Sequence, residues 1–158
     1  MINYKLINTN LDKSKNLLIF TLDKEEYAID ALQVQEICRY EDIATVANMP
    51  SHIKGLKKLA DKMALILDLR MLFNIQPTNY DEYTVIIIIK LDGHFLGLVV
   101  SEVKEVLAFT EEQMSYEIDF QSLAYNYYVK KVARLEERII FILDAENLYD
   151  HEISHLAK

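Results

Sequence analysis

Glycine and proline are scarce in this 158-residue chain, at three and two residues, which leaves nothing from which to build a long flexible linker. The single cysteine, Cys38, excludes an internal disulfide framework and any multi-cysteine zinc site. Long hydrophobic runs are missing too. The longest uncharged apolar run, Val85–Ile89, has five residues, against the ~20 a membrane helix needs. The first residues, Met1-Ile2-Asn3-Tyr4-Lys5, lack the apolar core and cleavage site of a secretory signal peptide. Basic charge is outweighed: 25 acids face 17 Lys and Arg, for a net charge of −8. Such a chain repels polyphosphate, which argues against nucleic acid as a partner. Apolar residues make up 51% of the chain, enough to offset the ordering entropy of one ordinary domain or two very small ones. These features together predict a soluble cytoplasmic protein without direct membrane insertion.

Short β-branched or aromatic segments bounded by charged pairs predict strands at Leu17–Leu22, Tyr27–Ile29, Tyr83–Leu91, Phe95–Val100 and Arg138–Leu143. Asp92-Gly93 reads as a tight hairpin turn, and Asp23-Lys24-Glu25 holds the same place in an earlier pair. Leu69–Phe73 and Ala145–Tyr149 read as short helices, each following a capping aspartate, Asp68 or Asp144. The second is expected to continue as one helix to Lys158. In Ile53–Met63 the apolar residues fall at 53, 56, 59 and 63, a helical spacing that Val129, Val132, Leu135 and Ile139 reproduce.

An internal repeat runs through these elements. Leu18–Asp23 aligns with Ile87–Asp92 at an offset of 69 residues, and Val34–Ile37 with Val103–Val106 at the same offset. After a seven-residue length change, Ile53–Leu59 aligns with Val129–Leu135, Met63–Asp68 with Ile139–Asp144, and Leu72-Phe73 with Leu148-Tyr149. The chain thus reads as two copies of a unit of about 60 residues, too small to be stable alone and expected to pack on each other.

With the repeat in view, Leu17-Leu-Ile-Phe-Thr-Leu-Asp-Lys-Glu-Glu-Tyr-Ala-Ile-Asp30, Val34-Gln-Glu-Ile37, Ala47-Asn-Met-Pro50, Ile53-Lys-Gly55 and Asp68-Leu-Arg70 resemble the CheW family of chemotaxis adaptors. Thr84-Val-Ile-Ile, Leu98-Val-Val100 and Thr110-Glu-Glu-Gln113 continue the resemblance, which spans about Leu17 to Tyr149. It implies an all-β fold with a few short helices: two pseudo-symmetric five-stranded SH3-like β-barrels packed side by side, with a C-terminal helix. It places a strand at Ile53–Met63 and in its repeat partner, against the local helical spacing. The implied organisation is an N-terminal arm (1–16), one CheW-like domain (17–149, with subdomains at about 17–80 and 81–149) and a helical tail (150–158).

The resemblance further implies a non-enzymatic scaffold without cofactor. Such a scaffold bridges the cytoplasmic tip of chemoreceptors to the regulatory domain of a CheA-type histidine kinase, in arrays at the inner membrane. Partner surfaces in the family match Val34, Glu36, Gly55, Ile86, Val103 and Val106 here. The valines and Ile86 can equally be core. Glu36, a charge inside an apolar strand, must face water or a partner. Gly55 has Lys131 as its repeat partner, which suggests that the site, rather than the fold, requires glycine there. The chain also departs from the family. Where the family has Asn-Leu-Arg-Gly, it has Lys58-Leu59-Ala60-Asp61, so the interface arginine is Ala60 and the turn glycine, which would hold a positive φ, is Asp61. Lys54, Lys57, Lys58 and Lys62 could supply replacement charge, though a lysine does not copy the planar fork of arginine.

Three other readings stand beside this one. The same adaptor surfaces would serve a system controlling type IV pili. A peptide-binding β-barrel module outside signalling would share the fold. A zinc metalloprotease rests on His151-Glu152-Ile153-Ser154-His155, an H-E-x-x-H match. That pattern has three fixed letters and lies in the last eight residues, with no downstream third ligand, so no functional metal is expected. Cys38, next to Arg39, reads as a small buried strand residue, and His52 and His94 as isolated loop residues.

Overall fold

The computed structural model describes residues 14–75, 79–115 and 126–157. Most of the expected N-terminal arm lies outside them. In chain order the strands are β1 (Lys15–Leu22), β2 (Glu25–Asp30), β3 (Val34–Arg39), β4 (Ile53–Leu59) and β5 (Lys62–Asp68), followed by helix α1 (Leu69–Leu72). Then come β6 (Val85–Leu91), β7 (His94–Val100), β8 (Glu102–Phe109), the two-residue β9 (Met114–Ser115), β10 (Val129–Leu135), β11 (Arg138–Leu143) and helix α2 (Ala145–Glu152). The all-β class with few short helices is as the sequence predicts.

The strands form two sheets, ordered β8-β1-β2-β11-β10-β9 and β3-β6-β7-β5-β4. The repeat halves are therefore not the sheets. Hairpin β1–β2 leaves its own half to join β8–β11, and hairpin β6–β7 joins β3–β5. Four pairings make this exchange: the parallel pairs β2 with β11 and β5 with β7, and the antiparallel pairs β1 with β8 and β3 with β6. All other strand pairs are antiparallel.

Three apolar clusters follow from that topology. Leu18, Phe20, Leu22, Tyr27 and Ile29 meet Ile87, Ile89, Leu91, Leu96 and Leu98 in a core shared by both sheets. Leu17, Ile19, Ala28 and Ile140 fill a core of the six-stranded sheet, and Ile86, Ile88, Ala64 and Ile66 one of the five-stranded sheet. Strands β1 and β6 are thus buried on both faces, which is why they read as continuous apolar runs instead of alternating ones. The 69-residue offset holds at this level. Leu18 and Ile87 both enter the shared core, while Leu17 and Ile86 each enter the core of their own sheet.

The helical spacing in Ile53–Leu59 has a β explanation. A bulge at Lys54 shifts the register, so that Ile53 pairs with Leu67 and Gly55 with Ile66. One extra residue puts Ile53 and Leu56 on one face, and Leu59 then points to the other. A matching bulge sits at Lys130 in β10, and a second repeat-matched pair at Gln35 in β3 and Lys104 in β8.

Both helices carry the expected caps. The Asp68 carboxylate accepts from the Arg70 N–H and the Asp144 carboxylate from the Asn147 N–H, each at 3.0 Å. The tail departs from expectation: α2 stops at Glu152, and Ser154–Ala157 form a separate 3-10 turn.

Asp92 and Gly93 both have positive φ, +50° and +87°, as a two-residue hairpin of that type requires. The β4–β5 turn differs from expectation. Its positive φ, +48°, falls on Ala60, the residue before Asp61. A left-handed alanine costs roughly 1–2 kcal/mol, partly offset in an Ala→Gly change by the greater freedom of glycine in the unfolded chain. Ala60→Gly is expected to raise stability by about 0.5–1 kcal/mol, or about 1–3 °C in Tm for a domain of this size. Thermal unfolding of the two proteins checks it; unchanged or lower stability would contradict this turn geometry.

Candidate functional site

Strands β3 and β8 are repeat partners, and each is an outer strand of its sheet. Outer strands leave backbone groups and side chains available for another chain. On β3, Val34 is buried in the shared core and Glu36 is exposed. In a regular strand residues two apart share a face; the bulge at Gln35 turns Glu36 outward instead. On β8, Val103 and Val106 are half-buried against the shared core. The structure thus gives Glu36, Val103 and Val106 surface to offer, while Val34 supports them from inside. Ile86 has no exposed surface and packs among Ile66, Ile88 and Val99, so it can act on a partner only through the core.

The repeat makes Glu36 distinctive. Its counterpart Glu105 is tied down: Arg138 donates to Glu105 at 3.0 Å and to both Glu26 oxygens at 2.8 and 3.0 Å. The Arg138 hydrogen bonds hold the Glu26 carboxyl below its ordinary pKa, and the two carboxylates push the guanidinium value up. At the repeat-matched positions of the five-stranded sheet stand Glu36, Lys62 and Phe95. Lys62 Nζ lies 5.7 Å from the centre of the Phe95 ring. Glu36 keeps no hydrogen bond or ion pair among the described residues.

Gly55 corrects the sequence reading. Its φ is +142°, and a Cβ there would lie 2.1 Å from the Ala44 carbonyl oxygen. Ala44 exchanges two 2.9 Å backbone hydrogen bonds with Leu56, which pins the loop against β4. The fold itself therefore demands glycine at 55, whatever a partner requires. Lys58 and Ala60 are exposed on the same hairpin. Neighbouring Lys57 donates to the Glu41 carbonyl at 2.7 Å.

Two clusters escaped the sequence reading. Asp68 and Arg70 are buried and paired: Arg70 Nε and Nη2 donate to the two Asp68 oxygens at 3.2 Å, and Nη1 donates to the Asn79 carbonyl at 2.6 Å. Tyr80 donates to Asp68 at 2.7 Å and stacks on Tyr40, with ring centres 4.4 Å apart. Burial and the adjacent carboxylate push the Tyr80 phenol up, so it stays a donor. Asp68-Leu-Arg70 thus works as an internal clamp on the connection between the halves. No spacing rule could have named Tyr80 as its third member.

The second cluster settles what Glu152 does. Tyr128 donates a hydrogen bond to Glu152 Oε2, and His52 Nε2 lies 3.1 Å from Oε1. His52 is therefore not an isolated loop residue: it meets the C-terminal helix. His94 is exposed, and its ring lies 5.1 Å from that of Tyr149. The H-E-x-x-H pattern needs one continuous helix through both histidines. Here the helix ends at Glu152, between His151 and His155, and the carboxylate that would act as base is engaged. Among the described residues no group of three His, Cys, Asp or Glu side chains could hold a metal ion. Burial pushes the Cys38 thiol up, in keeping with a packed strand residue.

With Gly55 internal to the fold, Gly55→Ala is expected to cost more than about 2 kcal/mol of stability, from backbone strain and the Ala44 contact. Urea unfolding measures it. An alanine variant of unchanged stability that loses only partner binding would restore the site-based reading.

Comparison with known proteins covers both halves of the chain. Residues 16–152 match the family model described as CheW-like domain. The chemotaxis protein CheW of Klebsiella aerogenes is 38% identical over 138 residues, covering 87% of this chain and 83% of that protein. CheW of Bacillus subtilis is 23% identical over 151 residues, covering 96% and 97%. The crystal structure of the scaffolding protein TtCheW from Thermoanaerobacter tengcongensis superposes with a TM-score of 0.76 at 26% identity, covering 82% of this chain and 88% of that one.

Proposed function

The chain belongs to the CheW-like family, and from that premise we propose that it is a non-enzymatic adaptor coupling chemoreceptors to a CheA-type histidine kinase in bacterial chemotaxis signalling. The observation that carries this reading is the match of the family model across both repeat halves, from residue 16 to 152. The partners are the cytoplasmic tip of a methyl-accepting chemoreceptor and the regulatory domain of the kinase. The protein works in the cytoplasm, held in receptor arrays at the inner membrane.

The physical features fit that task. An adaptor needs outward-facing apolar side chains and a charge that awaits a counter-charge, on a frame that does not deform. Val103 and Val106 supply the first and Glu36 the second, on strands anchored in the shared core. Lys58 and Ala60, on the β4–β5 hairpin, form a further part of the partner surface. Val34, Gly55 and Ile86 hold these strands in place from within.

Reversing that charge tests the reading. Glu36→Lys is expected to weaken association with receptor or kinase by at least about tenfold, equivalent to ~1.4 kcal/mol, while Tm stays nearly constant because the residue is exposed. Titration of the purified partners against both proteins measures it. Unchanged affinity for both partners would remove Glu36 from the interface, and a large fall in Tm would make it structural.

A further inference from the structure

The closed triad of the six-stranded sheet has an open counterpart in the five-stranded one. The repeat sets Glu36 against Glu105, Lys62 against Arg138 and Phe95 against Glu26, and the 69-residue offset also sets Lys90 against Thr21. Two of these exchanges alter the charge. A carboxylate becomes an apolar ring, and a neutral hydroxyl becomes an ammonium. The six-stranded sheet thus holds one cation between two carboxylates, while the five-stranded sheet holds two cations and one carboxylate.

The register puts all four side chains on one face. Phe95 pairs with Lys90 on one neighbouring strand and, on the other, with Ala64, two residues from Lys62. Glu36 pairs with Ile88, two residues from Lys90. Residues paired across strands, or two apart along one, share a face. That face packs Ala64, Ile66, Ile86 and Ile88. On the matching face of the other sheet, side chains converge: Arg138 on β11 reaches Glu105 on β8, three strands away, at 3.0 Å. Strands β5 and β3, which carry Lys62 and Glu36, stand the same three positions apart.

Here the two lysines turn to the ring. Lys62 Nζ lies 5.7 Å and Lys90 Nζ 5.9 Å from the centre of Phe95. Both are exposed, and neither makes an ion pair among the described residues. Lys57, on the same face, is already engaged by the Glu41 carbonyl. An exposed ring stabilises an ammonium only weakly, and two ammoniums at one ring repel each other. A carboxylate between them would remove the repulsion and accept charge-assisted hydrogen bonds from both.

We propose that Lys62 and Lys90 together form a carboxylate site, filled by a Glu or Asp side chain of the kinase regulatory domain in the role that Glu26 plays within the six-stranded sheet. The inference deepens the adaptor reading and rests on it. Charges held on strands gain most from a counter-charge that is itself held on a folded surface, because little freedom is then lost on binding. Of the two partners, the regulatory domain offers such a surface.

The test titrates full-length kinase and receptor-containing membranes separately against the parent and three variants. Lys62→Glu with Lys90→Glu is expected to weaken kinase binding at least about tenfold and to leave receptor binding unchanged. Lys24→Glu, a charge reversal in the exposed β1–β2 turn, should bind the kinase as the parent does. Phe95→Glu with Lys62→Arg rebuilds the triad around Glu36. With the site closed from within, kinase binding should again fall at least about tenfold. Raising salt should weaken the parent's kinase binding more than that of the lysine double variant. Tm verifies the fold of each protein; if the rebuilt triad does not fold, the exposed lysine pair decides alone. Unchanged kinase affinity in the lysine double variant, or an equal loss in Lys24→Glu, would overturn the proposal while parent binding keeps the adaptor reading standing. A loss confined to the receptor would overturn it too, assigning the face to that partner. So would self-association of the parent in sedimentation that the lysine double variant removes, since the carboxylate would then come from a second copy. A parent that binds neither kinase nor receptor would overturn the adaptor reading and this inference with it.

Discussion

Everything in this molecule depends on the parallel pairing of β2 with β11 and of β5 with β7. Through these two contacts, together with the antiparallel pairs β1–β8 and β3–β6, each half of the chain gives its first hairpin to the other half's sheet. Neither half owns a complete sheet, and the largest core lies between the exchanged hairpins. A unit of about 60 residues buries too little surface to be stable alone. Exchange removes that limit, because every strand of β1–β2 and β6–β7 is packed on both faces. It also makes the frame stiff, since sliding one half against the other would break strand hydrogen bonds.

That stiffness suits an adaptor, and the departures from symmetry give it distinct faces. The backbone repeats down to its bulges, at Gln35 and Lys104 and again at Lys54 and Lys130. The surface charges do not repeat. In the six-stranded sheet Arg138 binds Glu26 and Glu105 into a closed triad. In the other, Lys62 rests on Phe95 and Glu36 is left open. A symmetric frame with asymmetric charge can hold two unlike partners without confusing them, because each pairing leaves different charges unsatisfied.

The repeat, the strands β1, β2, β6, β7 and β11 and the two capping aspartates were legible because burial imposes them directly on residue type. The exchange of hairpins was not legible. Alignment tells which strands are equivalent, and equivalent strands can pair within a half or across halves with the same apolar pattern. The bulge at Lys54 was hidden for a related reason: one inserted residue turns a two-residue period into a spacing that imitates a helix. At the site, exposed Glu36 followed from chemistry alone. Gly55 did not, since the Ala44 carbonyl that excludes a side chain comes from a loop bridge invisible in the local sequence. The positive φ at Ala60 was missed because no glycine marks it. His52 seemed isolated because its partner Glu152 lies 100 residues away along the chain.

Bridging, as distinct from binding, is the central claim, and it requires both partners at once. The direct measurement is co-sedimentation of a purified CheA-type kinase with receptor-containing membranes, with and without this protein. The account predicts that the kinase sediments with the membranes when the protein is present and stays in the supernatant when it is omitted. Kinase recovery in the pellet that is the same with and without the protein, under conditions where the protein itself binds the membranes, would contradict it.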